Sequence, residues 1–233
     1  MKYIRTKTAI FRERPNRFIA NVEVDGTVQA VHVKNTGRCR ELLIPGARVV
    51  LSIPDNPDRK TKYDLVGVYR EGLGLVNIDS QAPNQVVKEW LENPPKALEI
   101  FPDITYLKPE YTYGKSRIDF YFERGEKKAL MEVKGVTLER EGIAYFPDAP
   151  TQRGIKHMEE LIHAAEEGYE TYLAFVIQME GVNEVRANIN THPKFGEILE
   201  KAKKKGVTLF MLGCKVKEQE LLIDRVTCVK EET

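Results

Sequence analysis

Arg117-Ile118-Asp119-Phe120-Tyr121-Phe122 and, after a tight Arg124-Gly125-Glu126 turn, Leu130-Met131-Glu132-Val133-Lys134 are the stretches whose reading decides the fold of the second half of this chain. Both are apolar runs of strand length, and the turn between them makes them neighbours in a hairpin. Side chains alternate across a strand. Ile118, Phe120 and Phe122 are therefore expected on one face, with Arg117, Asp119 and Tyr121 on the other. On the second strand Glu132 and Lys134 share a face with Leu130, which sets Asp119 beside Glu132 and Lys134.

Two neighbouring carboxylates repel each other unless a divalent cation sits between them, and hard oxygen ligands suit Mg²⁺ or Mn²⁺. The backbone carbonyl of Val133 could complete the protein's share of the ligands. A lysine beside such a cation would orient or deprotonate the attacking water and offset charge on a phosphate. Asp119, Glu132 and Lys134 thus suit phosphodiester hydrolysis. The short pattern Glu-x-Lys occurs twice, the other copy being Glu126–Lys128 beside the turn. Its weight comes from the apolar strand, the partner carrying Asp119 and the helix downstream; the plain alternative is a solvated cross-strand charge pair.

Outward from this hairpin the pattern alternates. Thr151 caps a helix running to about Glu167 and stopped by Gly168, Thr171–Ile177 is an apolar strand, Lys194–Lys205 a helix and Val207–Leu212 another buried strand. Strands alternating with helices predict a mixed sheet covered by helices. Upstream the texture differs. Phe18–Val24 meets Val28–Val33 through Asp25-Gly26, a type I′ hairpin signal. Strands follow at Arg48–Ile53, Tyr63–Tyr69 and Leu73–Ile78, which predicts a five-stranded OB-like barrel. A helix over Gln85–Leu91 begins after Pro83-Asn84 and ends before Asn93-Pro94-Pro95. The reading divides the chain into an all-β barrel, residues 1–82, and an α/β domain, residues 83–233.

Several function classes drop out. Gly114-Lys115-Ser116 lacks the upstream glycine of a phosphate loop, Pro109 standing in its place, and Gly72-Leu73-Gly74 has Asn77 where a dinucleotide fingerprint needs its third glycine. Cys39, Cys214 and Cys228 are odd in number and widely spaced, and His32, His157, His163 and His192 have no zinc spacing. Apolar runs fall short of a bilayer crossing, and the first residues carry charge where a signal peptide needs its apolar core. A cytoplasmic protein without a membrane partner is expected. The 233 residues carry a net charge of +1, but residues 1–80 are at +5 and the rest at −4. A basic front half suits a polyanion.

Cations gather at two places. Gln152, Arg153, Lys156 and His157 crowd the first turns of the helix capped by Thr151, against the macrodipole, so an anionic ligand would explain them. Lys34, Arg38 and Arg40 flank Asn35-Thr36-Gly37 and, with Arg12, Arg14 and Arg17, could form a barrel face that tracks a nucleic-acid backbone. Phe11 and Phe18 lie among them, as core residues or as stacking platforms.

Pro15-Asn16-Arg17-Phe18, His32-Val33-Lys34-Asn35-Thr36-Gly37-Arg38, Ser116-Arg117-Ile118-Asp119-Phe120, Glu132-Val133-Lys134-Gly135-Val136-Thr137-Leu138 and the long run from Phe146 to His157 resemble the sugar fermentation stimulation protein A family over nearly the whole chain. The resemblance implies an OB-like barrel followed by a restriction-endonuclease-like (PD-(D/E)xK) domain. It also implies DNA binding of low sequence specificity and a link to sugar (maltose) metabolism. Asp119, Glu132 and Lys134 match the nuclease signature, with Glu110 as an additional acidic metal ligand. Arg17, Lys34, Asn35, Thr36, Arg38, Arg153, Lys156 and His157 become candidate nucleic-acid contacts, DNA being the expected partner and RNA the alternative. A homodimer would let such an enzyme cut both strands, although no segment announces an interface. The chain departs from the family pattern at Lys34, where that pattern has Pro, and at Asp79-Ser80, where it has Asn-Thr. Two functions stay open: a Mg²⁺- or Mn²⁺-dependent nuclease, and a non-cleaving DNA-binding regulator on a nuclease-like fold.

Overall fold

The computed structural model describes residues 1–35, 37–56 and 58–229. The Asp25-Gly26 turn forms as its residue types require, with φ of +50° and +76°, and joins strand β2 (Ile19–Val24) to β3 (Thr27–Val33) in a regular antiparallel ladder. Around this hairpin stand β1 (Thr6–Glu13), β4 (Arg48–Ser52), β5 (Asp64–Arg70) and β6 (Gly74–Asn77). The order is β3-β2-β1-β4-β5-β6, and β3 pairs back onto β5 in parallel to close a five-stranded barrel. Ala9, Phe11, Ala20, Val22, Val31 and Leu51 fill its interior.

The staves differ from those expected. β1 is central, pairing with both β2 and β4, yet it puts only Ala9 and Phe11 fully inside among Lys7, Arg12 and Glu13, too weak an alternation to announce a strand. β6, expected as a stave, pairs within its sheet with β5 alone and hangs on the edge of the barrel.

Helix α1 (Ala82–Glu92) follows, begun by Pro83 and ended at Asn93. It starts earlier than Gln85 because Asp79 receives its first amides: Gln81 N–H donates to Asp79 Oδ1 (2.9 Å) and Ala82 N–H to the Asp79 carbonyl (3.2 Å). Then come β7 (Ile104–Tyr113), β8 (Ser116–Arg124), β9 (Lys127–Val136), the short β10 (Leu138–Arg140) and β11 (Ile143–Phe146), α2 (Gln152–Glu166), β12 (Glu170–Ile177), β13 (Val185–Ala187), α3 (Pro193–Lys204), β14 (Thr208–Lys217) and β15 (Glu220–Val229). The main sheet runs β15-β14-β12-β9-β8-β7. β9, β12 and β14 are parallel at its centre, and the remaining pairs are antiparallel.

α1 covers one face over Phe120, Phe122, Met131 and Phe210. Met158, Leu161 and Ile162 of α2, with Phe195 and Leu199 of α3, belong to the core of the other face, which includes Ile118, Leu130, Leu173 and Phe175. Ile118 thus lies across the sheet from Phe120 and Phe122, contrary to simple alternation. The β8–β9 ladder runs from Arg124–Lys127 to Phe120–Met131 and ends there; beyond it the side chain of Asp119, rather than β8 backbone, receives the Val133 N–H.

Barrel and α/β domain meet in a polar seam. Gln178, at the end of β12, accepts from Asn77 N–H through its carbonyl (2.9 Å), and its Nε2 donates to Asn77 Oδ1 (2.9 Å) and to the Asp79 carbonyl (3.1 Å). Lys34 Nζ pairs with Asp79 Oδ2 at 2.8 Å, where Asp79 is only 1% exposed.

Candidate active site

Asp119 and Glu132 sit where β8 and β9 part. Half-buried Asp119 is held from two sides, its Oδ1 accepting from Asn84 Nδ2 of α1 (2.7 Å) and its Oδ2 from Val133 N–H (2.8 Å). Glu132 is 1% exposed. Its Oε1 accepts from Lys134 Nζ and from His157 Nδ1, while its Oε2 is buried with no hydrogen-bond partner in the protein.

The electrostatics of the two carboxylates diverge. Burial pushes the Asp119 pKa up, and the charge of Glu132 adds to the rise, against Lys134, the Val133 amide and Asn84. Burial also acts to raise Glu132, but the Lys134 charge and the His157 hydrogen bond outweigh it and hold its carboxyl below the usual range. An anion kept ionised out of water, with one oxygen unsatisfied, is an open acceptor for a cation. Among the described residues no three His, Cys, Asp or Glu side chains gather into a ready cage. Two carboxylates and a backbone carbonyl suit a hard divalent cation that keeps several waters. The donors fit that group.

Glu110 lies in β7 between the pairs Pro109–Phe120 and Tyr111–Ile118, hence opposite Asp119. Its φ is +54°, a left-handed kink rarely adopted by a non-glycine residue. Its carboxylate pairs with Arg117 Nη2 at 2.6 Å, both side chains more than 60% exposed. It borders, with Lys34, Asp79, Asn84 and Asp119, a cavity of about 360 Å³ between the domains.

The cations of α2 have partners within the protein. Buried His157 faces Glu132, Arg153 Nε donates to His157 Nε2 (3.3 Å), and Lys156 Nζ donates to the Lys115 carbonyl (2.7 Å). Glu132 is thus the anion that His157 answers, and His157 has no open face for a nucleic acid, whereas Arg153 and Lys156 stay exposed. The α2 cap is as expected, Thr151 Oγ1 accepting from Gly154 N–H (2.9 Å).

On the barrel, Arg14 is an organiser: its guanidinium donates to the carbonyls of Gly37, Arg38, Arg17 and Asn35 at 2.6–2.8 Å. Arg12 pairs with Glu23. Asn35 ties its loop to the chain beyond β6, Nδ2 donating to the Ile78 carbonyl (2.8 Å) and Oδ1 accepting from Gly37 N–H (2.6 Å). Thr36 lies outside the described residues. Arg17, Arg38 and Arg40 are exposed and line a cavity of about 480 Å³ floored by Phe11 and Leu43, and Phe18 beside them is 55% exposed.

Fold and site together define a two-domain protein, an OB barrel fixed to an α/β domain that carries a buried carboxylate–lysine centre at a split in its sheet. Family models agree with both halves: residues 13–78 match the SfsA N-terminal OB domain and residues 81–220 the sugar fermentation stimulation protein RE domain. The chain belongs to the sugar fermentation stimulation protein family. It is 52% identical over 221 residues to the sugar fermentation stimulation protein homolog of Desulfitobacterium hafniense (strain DSM 10664 / DCB-2), covering 95% of this chain and 94% of the relative. The homolog of Ruminiclostridium cellulolyticum is 49% identical over 225 residues, 97% of each chain. A solved structure described as Pyrococcus furiosus SfsA in complex with Ca²⁺ superposes with a TM-score of 0.84 at 26% identity, covering 98% of this chain and 95% of that one. No helix among the described residues is long and apolar enough to cross a membrane.

Proposed function

We propose that this protein binds DNA with low sequence specificity and hydrolyses its phosphodiester bonds with the help of Mg²⁺ or Mn²⁺, in the cytoplasm. The observation that carries the reading is the orphaned, buried Oε2 of Glu132 beside a second carboxylate. The description of the P. furiosus relative with Ca²⁺ supports a hard-cation site in the family. Asp119 and Glu132 would hold the cation, with the Val133 carbonyl. A divalent cation supplies charge for the phosphate oxygens and acidifies a bound water. Lys134, 15% exposed against 2% for the Glu132 side chain, is partly open to solvent, as Asp119 is, and would orient the attacking water and offset phosphate charge. Asn84 and the Val133 amide fix the Asp119 carboxylate. Arg17, Arg38 and Arg40 grip the backbone, and exposed Phe18 offers a surface on which a base can stack.

A second reading, a non-cleaving DNA-binding regulator of sugar (maltose) metabolism, draws on the relatives' shared name. A pure binder gains little from two carboxylates aimed at a polyanion, which favours the first. Labelled single-stranded, double-stranded and branched DNA, and RNA, incubated with and without Mg²⁺ or Mn²⁺, separate the two. Metal-dependent cutting lost in Glu132→Ala and Lys134→Ala is expected. Binding without cutting, unchanged in both variants, would leave the regulator.

A further inference from the structure

The two oxygens of Glu132 have different fates. Oε1 receives two donors and Oε2 none. The two donors differ as well. Lys134, 15% exposed on a flexible stem, can leave Oε1 when a phosphate or water claims it. His157 cannot: it is 4% exposed and sits on the second turn of α2.

That helix is anchored at its start. Thr151 N–H donates to His192 Nδ1 (3.2 Å), and Asn188 Nδ2 donates to the Pro147 carbonyl just upstream (3.0 Å). Arg153 Nε–H donates to His157 Nε2, which demands a lone pair there and puts the imidazole proton on Nδ1, facing Glu132.

We infer that His157 is a positioning residue for Glu132: its Nδ1–H clamps Oε1 permanently, stops the carboxylate turning over, and so keeps Oε2 presented to the cation whether or not Lys134 is engaged. Arg153 sets the tautomer that makes the clamp a donor. The inference rests on the metal-dependent reading above.

Cation binding, independent of any cleavage, is the test. Ca²⁺ and, separately, Mn²⁺ are titrated calorimetrically into metal-stripped wild-type protein and into Glu132→Ala, His157→Leu and His157→Asn. Wild type is expected to bind and Glu132→Ala to lose binding. His157→Leu, which fills the space without a donor, is expected to bind about 10–100-fold more weakly, the usual scale for losing a partner that orients a ligand. The Asn side chain places an amide N–H near the position of Nδ1, so His157→Asn should recover most of that loss; a merely structural role for the ring would not follow the N–H. If His157→Leu does not fold, judged by circular dichroism and cooperative melting, His157→Phe replaces it. Binding by a folded Leu or Phe variant as tight as wild type, with Glu132→Ala dead, would overturn the inference alone. So would Asn no better than Leu or Phe. Failure of wild type to bind either cation would remove the metal reading, and this inference with it.

Discussion

Lys34→Met is expected to destabilise the seam between the domains far more in the wild-type background than beside Asp79→Asn. Asp79 is 1% exposed and accepts from Lys34 Nζ (2.8 Å), Tyr3 OH (3.1 Å) and the Gln81 amide (2.9 Å). Removing one partner of a buried ion pair strands the other charge and costs about 3–5 kcal/mol. Lys34 keeps 22% of its side chain in water and two neutral donors stay on Asp79, so the low end, about 3 kcal/mol, applies. Asp79→Asn leaves a lysine able to turn to solvent and loses a charge-assisted bond, about 1.5 kcal/mol. The double variant has no stranded charge and is expected near about 2 kcal/mol, a coupling of roughly 2.5 kcal/mol, large for a single pair. Urea unfolding reads these costs, with far-UV circular dichroism following both domains and fluorescence following Trp90, the only tryptophan, buried in the α/β domain. Single costs that add to the double cost within about 0.5 kcal/mol would mean that the pair carries no coupling. That result would refute the view that Lys34 and Asp79 compensate each other.

Two further outcomes follow from the same geometry. Each of Arg17→Ala, Arg38→Ala and Arg40→Ala should weaken DNA binding similarly across sequences and lower the slope of log K against log salt by about one, as loss of a phosphate contact does; anisotropy titrations at several salt concentrations would read an unchanged slope as evidence that the barrel cavity is not the grip. Asp119 holds its proton to a higher pH in the native than in the unfolded chain, so its contribution to unfolding free energy falls as pH rises through the ordinary carboxylate range to its raised pKa; Glu132, held low, contributes stability above the ordinary range that is lost as pH falls through its depressed pKa. Asp119→Asn removes only the first effect and keeps both hydrogen bonds if the Asn84 amide turns over. With a chelator present, its melting temperature should gain on wild type as pH rises from about 4 toward 8, and a gap moving the other way would contradict the raised Asp119 pKa.

The parts of the fold that the sequence made legible are those whose signal is local. Asp25-Gly26 names its own turn, Thr151 and Gly168 bracket α2, and the run around Glu132 is a strand on composition alone. β1 hides because a barrel stave needs only a few inward side chains, and Thr6–Glu13 spends the others on water. β7 hides for a related reason: it is the edge of the sheet, largely exposed, broken by Pro109 and kinked at Glu110. Strict alternation groups Ile118 with Phe120 and Phe122 only if the ladder is unbroken, and the β8–β9 ladder stops at Phe120, one residue short of Asp119. That stop is what frees Asp119 to bond Asn84 and Val133, so the same irregularity that defeats the pattern builds the site.

The cations of α2 mark where sequence reasoning reaches its limit and where it still holds. Lys and Arg at a helix start oppose the macrodipole, a cost that a nearby anion offsets. For His157 an anion lies within the protein: the carboxylate it faces is 25 residues away on β9, a separation no helical or strand period connects. Once Glu132 is recognised as that anion, the assignments redistribute. His157 and Arg153 support the carboxylate and Lys156 bonds the Lys115 carbonyl, while the Arg153 and Lys156 side chains stay exposed, as Arg17, Arg38 and Arg40 do on the barrel. On the reading proposed above, a grip on the barrel and chemistry on the α/β domain would sit on different domains, and the polar seam of Gln178, Asn77, Asp79 and Lys34 would keep their separation from drifting.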